Sequence, residues 1–485
     1  MDIFIKPLKK FDRGITAPPD KSITHRAIMF SAFSEGRVRI FNALLGEDCL
    51  ATVDCVKKLG AQVGIDGGTV TVQGMASPRP ADLYVGNSGT TMRLLAGMLA
   101  GREQVTKNEE RITKNDGLNI ASESPSLPIH SHSPTPRSSL PTSHSSLLIP
   151  NSPPSAIHYP PSTVFTIHSP PSFTLDGDAS VRSRPMNRVI DPLRLMGAKI
   201  SGNGGKAPLT VEGARLHGIH YVSPVASAQV KSAILLAGLN ADGATSVTEP
   251  QLSRDHTERM LRYFGADVSV NGLTAAVRPS LLTPRDVRVP GDISGAAFPL
   301  VLAAGLKGGR VAVRDVGVNP TRDGILRILS QCGVGFRLFN RRGAFEPVAD
   351  IELEYAPLKP FRITQELVPL LIDEIPVLAV LACFIEGESI ISGAEELKVK
   401  ESNRIDTVVN NLKKMGADIE AAPDGMVICG KGFLEGGAEI DPMGDHRIAM
   451  SMAIAGALSK NGALIKNAEC ASVSYPGFYE ILRTC

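Results

Sequence analysis

The residues of this chain that could do chemistry are cations and hydroxyls at the starts of predicted helices. The segment PPDKSITHRA brings Lys21, Ser22 and Arg26 within about one and a half helical turns, so one face offers an ammonium, a hydroxyl and a guanidinium. Because the N–H groups of a helix N-terminus attract anions before any side chain is added, this face suits a phosphate or a carboxylate. A capped helix with surface charges is the alternative interpretation.

Four further segments have the same character. They contribute Asn87, Ser88, Gly89 and Thr90 in GNSGTTMR, Arg182 and Arg184 in DASVRSRP, Ser227 and Gln229 in SAQVKS, and Arg254 in SRDHTE. The glycine-rich turn of GNSGTTMR lets backbone N–H groups approach an anion closely. Arg254 could instead pair with Asp255 or Glu258 within its own segment.

Carboxylates join the cations in the last third of the chain. Asp373 and Glu374 open the apolar helix DEIPVLAVLA, where an acid could simply compensate the helix dipole. The segments that follow add Lys398, Lys400, Glu401 and Arg404 in KVKESNR, and Asp445, His446 and Arg447 in DHR. Cations that recur at equivalent helix starts, with carboxylates among them, predict a site for anionic substrates with acid–base chemistry.

A repeated unit must position these segments. An apolar, helix-like phrase that ends in Gly before a strand-like pattern recurs at Gly60, Gly197, Gly265, Gly333 and Gly416. We expect each glycine to take the left-handed conformation, so that the chain can reverse into a strand. The sequence YEILRTC stands where a sixth copy would be ending its helix.

A second phrase, a polar start followed by small and apolar residues, alternates with the first. It predicts well-buried helices in DKSITHRAIMF, NSGTTMRLLAG, SAQVKSAILLAG, DISGAAFPLVL, DEIPVLAVLA and DHRIAMSMAIAG. Six buried helices that alternate with six amphipathic ones, joined by Val/Ile-rich strands, predict an α/β fold of six similar units. Three units in each of two domains is the natural division.

An insertion interrupts the repeat. The glycines of the first phrase are 68, 68 and 83 residues apart from Gly197 onward, but Gly60 and Gly197 are 137 apart. Residues 103–172 account for the excess; they are rich in Ser and Pro and hold five of the ten histidines. Because this tract shows no amphipathic period, we predict a disordered insertion, and the irregular histidine spacing argues against a metal site.

Composition excludes several classes of protein. The net charge of +2 comes from 51 basic and 49 acidic residues without a basic stripe, which argues against a nucleic-acid partner. Seven widely spaced cysteines without a CxxC pair argue against a disulfide framework and a zinc site. The N-terminus lacks the apolar core of a secretory signal, and the apolar run 375–385 is too short to span a bilayer. We predict a cytoplasmic protein with no membrane partner, no metal and no cofactor.

The motifs DKS..HR, GNSGTTMR, SAQVKSA, RDHTE, IDE.P, VKES.R and DHRIAM, in that order, closely resemble the 5-enolpyruvylshikimate-3-phosphate synthase family, and SAQVKSA and RDHTE are similar to its bacterial class II branch. The resemblance covers essentially the chain outside 103–172. It implies an inside-out α/β barrel of two domains, each of three βαβαββ units with buried helices. Domain I would comprise residues 1–17 and 290–485, and domain II residues 18–289, with hinges near 14–20 and 288–292.

The resemblance implies an activity: transfer of the enolpyruvyl (carboxyvinyl) group of phosphoenolpyruvate to the 5-hydroxyl of shikimate 3-phosphate, with release of phosphate. This is a glyphosate-sensitive step of chorismate and aromatic amino-acid biosynthesis. The residues implied for shikimate 3-phosphate are Lys21, Ser22, Arg26, Ser227, Gln229, Arg254, Asp373 and Lys400. Those implied for phosphoenolpyruvate are Lys21, Gly89, Arg184, Gln229, Arg404 and Arg447. The likeness also implies a monomer.

Three side chains, two from these sets and Glu401, are assigned catalytic roles as a hypothesis. Asp373 is the base that takes the 5-hydroxyl proton, Glu401 is the acid at the methylene carbon, and Lys21 stabilises the tetrahedral intermediate. The chain departs from the enterobacterial type at Val473, where that type has a phosphate-binding lysine, and at Leu94, where it has proline. We therefore predict ordinary catalysis with altered glyphosate sensitivity.

Two alternative functions fit part of this pattern. A UDP-N-acetylglucosamine enolpyruvyl transferase would pair its first lysine with Asn and carry a cysteine in the loop that holds the insertion. This chain has Lys21 beside Ser22 and no cysteine between Cys55 and Cys332. An inactive homologue disabled by the insertion is the other alternative, and the retention of the charged motif residues argues against it.

Overall fold

The computed structural model describes residues 1–102 and 170–483. Its α-helices are α1 (Lys21–Ala32), α2 (Glu47–Leu59), α3 (Gly89–Ala100), α4 (Ala179–Ser183), α5 (Asn187–Leu195), α6 (Ala228–Gly238), α7 (His256–Tyr263), α8 (Ile293–Gly305), α9 (Gly324–Gln331), α10 (Val368–Leu371), α11 (Ile375–Cys383), α12 (Arg404–Lys414) and α13 (His446–Leu458). Short 3₁₀ helices span Glu395–Val399, Ala468–Val473 and Phe478–Leu482.

The strands are short and lie between the helices in runs of one to three. They are β1 (Ile3–Ile5), β2 (Asp12–Thr16), β3 (Arg37–Phe41), β4 (Gln62–Asp66), β5 (Thr69–Gln73), β6 (Ala81–Tyr84), β7 (Ser172–Asp176), β8 (Lys199–Asn203), β9 (Lys206–Glu212), β10 (His220–Val222), β11 (Thr245–Thr248), β12 (Val268–Asn271), β13 (Thr274–Val277), β14 (Val287–Arg288), β15 (Arg310–Gly317), β16 (Phe336–Arg342), β17 (Val348–Glu354), β18 (Arg362–Ile363), β19 (Gly387–Ile391), β20 (Ile419–Ala422), β21 (Gly425–Gly430), β22 (Ala438–Ile440) and β23 (Ala463–Ile465).

Six small sheets arise from these strands within the described ranges, five of four strands and one of three. Each four-stranded sheet has one parallel pair followed by two antiparallel pairings, as in the order β6-β7-β9-β8. A βαβαββ unit produces this order, because its parallel pair needs a crossover helix and its last two strands form a hairpin. Strands distant in sequence complete two units, where β14 pairs with β3 and β2 pairs with β15.

The helices of the second phrase lie inside the sheets. In α1, α3, α6, α8, α11 and α13 nearly every residue is buried. Small residues let these helices touch: a β-carbon on Gly97 of α3 would lie 2.2 Å from the carbonyl oxygen of Ala233 in α6. The predicted α/β fold with buried helices is therefore confirmed.

The glycines of the first phrase end the amphipathic helices as predicted. Gly60, Gly197, Gly265, Gly333 and Gly416 all have a positive φ, between 85° and 119°. The prediction of a sixth helix of this kind is wrong, because Phe478–Leu482 forms a 3₁₀ helix. Phe478 is buried there against Phe298, with ring centroids 5.4 Å apart, so packing holds the segment in this tighter form.

The described residues contain two hydrophobic cores. One takes its residues from 5–17 and 293–482, and the other from 23–289. The two connecting segments run side by side: the Asp20 N–H donates to the Pro290 carbonyl at 2.8 Å, and the Asp292 N–H donates to the Pro18 carbonyl at 2.7 Å. Asp20 and Asp292 cap α1 and α8, so one buried helix of each core begins at this junction.

The predicted insertion at 103–172 lies outside the described residues except for its last three, of which Ser172 begins β7. The flanking segments converge on Gly213. A β-carbon there would lie 1.9 Å from the Arg102 carbonyl oxygen and 3.0 Å from Pro171 Cγ. The Gly213 N–H also donates to the Pro171 carbonyl at 2.9 Å. The chain therefore leaves and re-enters the described structure at one place, at the C-terminal end of α3.

Candidate functional site

The predicted helix starts meet in one cavity of about 430 Å³ that both cores line. Helices α1, α3, α6, α12 and α13 all begin at its wall. Nine lysine and arginine side chains line the cavity against six carboxylates. Since helix N-termini add partial positive charge to this excess, the cavity is suited to small polyanions.

Most of the site residues predicted from the sequence lie in this cavity. They are Lys21, Ser22, Gly89, Arg184, Ser227, Gln229, Arg254, Asp373, Lys400, Glu401, Arg404 and Arg447. Arg26 does not line it. The Arg26 side chain is 3% exposed and donates to Thr257 Oγ1 at 2.8 Å and to Ser232 Oγ at 3.0 Å, behind the cavity wall. Its contact with shikimate 3-phosphate stays a prediction.

Other charged residues of these segments also lie outside the cavity lining, among them Arg182, Lys398 and Glu374. Arg182 pairs with Asp176 on the surface, and Lys398 donates to the Pro423 carbonyl. The Glu374 carboxylate is buried behind the cavity and accepts a hydrogen bond from Ser294. Membership of a charged segment therefore does not by itself place a residue in the cavity.

Arg404 organises the acidic side chains. Its guanidinium lies 3.2 Å from Asp373 Oδ1, 2.7 Å from Glu401 Oε2 and 2.8 Å from Asp445 Oδ2. Arg404 is fully buried, so its planar donors have little freedom to move. Asp373 Oδ2 also accepts from Arg254, which rules out the alternative that Arg254 pairs with Asp255 or Glu258.

The surrounding cations keep Asp373 and Glu401 ionised. Burial alone would raise the pKa of Asp373, but Arg254, Arg447 and Arg404 outweigh burial and hold this pKa well below its ordinary value of 3.8. Burial opposes ionisation of Glu401 as well, yet Arg404 and Arg184 lower its pKa below the ordinary 4.5. Before any substrate binds, the two carboxylates are thus the partners of the cations.

Lys21 stays charged at the start of α1. Its Nζ lies 3.1 Å from Asp48 Oδ2. Burial would lower the pKa of Lys21, but Asp48 and Glu401 outweigh this effect and raise the pKa above 10.5. The side chain therefore presents a fixed positive charge beside Glu401.

Several residues of the cavity escaped sequence reasoning. Arg93 is one helical turn after Gly89, a spacing that could have identified it; it donates to Gln229 Oε1 at 2.7 Å. Arg188 pairs across the cavity with Glu396 at 3.2 Å. Asp48 and Arg322 had no sequence signal, because only the tertiary structure brings them to Lys21 and to the aspartate caps.

A group that could hold a metal ion lies outside the cavity, formed by Asp255, His256 and Glu346. His256 Nδ1 is 2.6 Å from Glu346 Oε1. The Asn319 amide donates to Asp255 Oδ1 at 2.7 Å and to Glu346 Oε2 at 2.8 Å. These hydrogen bonds within the group account for its compactness without an ion.

The chain is similar to proteins of one family over nearly all of its length. The family described as EPSP synthase (3-phosphoshikimate 1-carboxyvinyltransferase) matches residues 5–112 and 163–482. A 3-phosphoshikimate 1-carboxyvinyltransferase from Pelotomaculum thermopropionicum is 45% identical, over 99% of this chain and 98% of the relative. One from Gloeobacter violaceus is 45% identical over 99% and 97%. The structure of EPSP synthase from Acinetobacter baumannii is similar with a TM-score of 0.76 and 38% identity, covering 99% of this chain and 97% of that one.

Proposed function

Because this chain belongs to the EPSP synthase (3-phosphoshikimate 1-carboxyvinyltransferase) family, we propose that the cavity between its two cores binds shikimate 3-phosphate and phosphoenolpyruvate. The chain transfers the carboxyvinyl group of phosphoenolpyruvate to the 5-hydroxyl of shikimate 3-phosphate and releases phosphate, a step of aromatic amino-acid biosynthesis. The convergence of cations from both cores around Asp373 and Glu401 supports this use of the cavity. The family match does not favour a UDP-N-acetylglucosamine enolpyruvyl transferase or an inactive homologue.

We propose that the substrates replace the carboxylates as partners of the cavity cations. Shikimate 3-phosphate would contact Lys21, Ser22, Arg26, Ser227, Gln229, Arg254, Asp373 and Lys400. Phosphoenolpyruvate would contact Lys21, Gly89, Arg184, Gln229, Arg404 and Arg447. The short Arg254 to Asp373 and Arg404 to Glu401 contacts support an exchange of this kind, since each pairs a cation with an anion where a substrate anion would bind.

The proposed reaction assigns the proton transfers to the two acids Asp373 and Glu401. Asp373 accepts the 5-hydroxyl proton as the oxygen attacks C2 of phosphoenolpyruvate, while Glu401 protonates the methylene carbon. The tetrahedral intermediate then expels phosphate and returns a methyl proton to the Glu401 carboxylate, which restores the vinyl group. Lys21 stabilises the charge of the intermediate. When phosphoenolpyruvate neutralises Arg404 and Arg184, the pKa of Glu401 must rise, which permits the protonated form that this role requires.

We also propose domain boundaries and a setting for the enzyme. Domain I comprises residues 1–17 and 290–485, and domain II residues 18–289; the separate cores and the paired connecting segments support this division. In the described part of the chain, no helix is long and apolar enough to cross a membrane. A monomer in the cytoplasm is proposed from the family likeness.

A phosphate-release assay tests the proposed function. The purified full-length chain is incubated with shikimate 3-phosphate and phosphoenolpyruvate, and then with each substrate alone. We expect stoichiometric phosphate release that needs both substrates. Release with UDP-N-acetylglucosamine in place of shikimate 3-phosphate, or no release with either acceptor, would contradict the proposal.

Removing the inserted tract should leave catalysis intact. In a variant with residues 104–169 replaced by two glycines, we expect kcat and both KM values within about threefold of the parent, because the segments flanking the tract meet at Gly213 and closing a short loop costs little. The N-terminal end of α3 lines the cavity, whereas the tract follows the C-terminal end of α3. A loss of activity in a variant that keeps the parent's melting temperature would show that the tract takes part in catalysis.

Glu401 should make stability depend on pH in the acid range. Its pKa in the folded protein lies below the ordinary 4.5, so its ion pairs stabilise the protein above that pH and are lost as the pH falls below it. Without substrates, the melting temperature of the parent should therefore fall more steeply with acid than that of Glu401→Gln. Parallel curves for the two proteins would refute the depressed pKa.

A further inference from the structure

A buried charge cluster lies behind the cavity wall, and no step of the reaction uses it. Lys231 Nζ in α6 lies 2.7 Å from Glu249 Oε2 and 2.8 Å from Glu258 Oε1. The three side chains are 3% exposed or less. Carboxylates buried to this degree need a compensating charge, and Lys231 supplies it to both. The cluster joins α6, the residue after β11 and α7.

Glu249 connects this cluster to the cavity through two segments of the chain. Its Oε1 accepts a hydrogen bond from the Ser227 backbone N–H at 3.1 Å and another from Ser253 Oγ at 2.6 Å. Ser227 precedes α6, and Ser253 precedes Arg254. Ser227 and Arg254 both line the cavity, so one buried carboxylate connects the segments that carry them.

The hydroxyl of Ser227 is available to bind a ligand in the cavity that Ser227 lines. Ser227 is the N-cap residue of α6, yet its side chain makes no capping hydrogen bond. Its backbone N–H instead donates to the Glu249 carboxylate at 3.1 Å. Glu249 therefore holds the backbone of Ser227 in place, while the Ser227 side chain makes no capping hydrogen bond to α6.

Lys231 keeps the Glu249 carboxylate in place. Burial would lower the pKa of Lys231, but Glu258 and Glu249 outweigh burial and raise the pKa, so the lysine is charged. Glu258 contacts the same lysine, but no hydrogen bond to Ser227 or Ser253 involves it within the described residues. Glu249 and Glu258 therefore share one electrostatic environment and differ in their link to the cavity.

We propose that Glu249, held by Lys231, is a positioning residue for shikimate 3-phosphate. It fixes the spacing between Ser227 and Arg254, so that a hydroxyl and a guanidinium meet the same substrate. The inference rests on the proposed function, which gives both residues to shikimate 3-phosphate and neither to phosphoenolpyruvate. A substitution at Glu249 should therefore weaken the binding of shikimate 3-phosphate and leave the binding of phosphoenolpyruvate unchanged.

Three variants of the full-length protein test this role. We expect Glu249→Ala to raise the Kd of shikimate 3-phosphate, measured by calorimetry without phosphoenolpyruvate, by about tenfold, the effect of losing one or two buried hydrogen bonds. Glu249→Gln keeps an acceptor for the Ser227 N–H and should recover part of the affinity. Glu258→Gln is the matched control, because it removes a charge from the same lysine without touching Ser227. The KM of phosphoenolpyruvate should stay within about threefold in all three.

The outcomes distinguish positioning from support of the fold. If Glu249→Ala and Glu258→Gln change the Kd equally, or if both KM values rise together, the cluster serves only the fold and the proposal is overturned. Should Glu249→Ala fail to fold, Glu249→Gln keeps the shape of the side chain but removes its charge, and it must still bind shikimate 3-phosphate more weakly than the parent while the KM of phosphoenolpyruvate stays unchanged. If the parent protein itself binds no shikimate 3-phosphate, the proposed function fails, and the failure is visible before any variant is made.

Discussion

Replacing Asp373 by Asn is expected to lower kcat by about 10²- to 10⁴-fold, the range that a positioned general base contributes. Asn has the same shape and can still accept a hydrogen bond from Arg404 Nη1, which lies 3.2 Å from Asp373 Oδ1. It cannot take the 5-hydroxyl proton. The substitution weakens the contact of residue 373 with shikimate 3-phosphate, but it also removes a carboxylate that competes for Arg254 and Arg404, so the Kd of shikimate 3-phosphate should change little.

A loss of kcat with retained affinity would separate proton transfer from binding. Steady-state phosphate release and calorimetry with shikimate 3-phosphate measure the two quantities. Asp286→Asn serves as the control, because Asp286 pairs with Arg39 at 2.5 Å on the surface, away from the cavity. Near-normal turnover of Asp373→Asn would remove the assignment of Asp373 as the base.

Replacing Lys21 by Met is expected to lower kcat by about 10²- to 10³-fold, the effect of removing one preorganised charge from a site that stabilises developing negative charge. Lys21 is assigned to both substrates, so both KM values should rise as well. The loss leaves Asp48 without its partner at 3.1 Å and places an uncompensated carboxylate near the substrates. Lys21→Arg restores the charge, with a different shape, and should recover part of the activity.

The control for Lys21 is a lysine in an ordinary surface pair. Lys413 lies 2.7 Å from Glu420 and is largely exposed, so Lys413→Met should leave kcat and both KM values unchanged. Kinetics at several concentrations of each substrate measure these constants. If Lys21→Met raised a single KM and left kcat intact, Lys21 would be a binding residue for that substrate and no stabiliser of the intermediate.

The local features of this protein followed from its sequence. The helices that end in glycine and the buried helices made of small residues can each be identified from residues that are close together in the sequence. The order of the motifs is also read directly from the sequence. Gly416 illustrates this, since a reversal after α12 requires a left-handed residue whatever lies around it. The cations at the starts of α1 and α13 were found in the same way, because helix starts carry short-range signals.

The tertiary structure alone decided the partners of these residues. The pairing of Arg404 with both Asp373 and Glu401, the ion pair of Lys21 with Asp48, and the position of Arg26 behind the wall depend on how separate units pack. The link from Glu249 to Ser227 spans two segments of the chain that no local pattern relates. Short-range signals fix where a helix begins, but burial and Coulomb interactions depend on distances through space, and those distances exist only once the chain has folded.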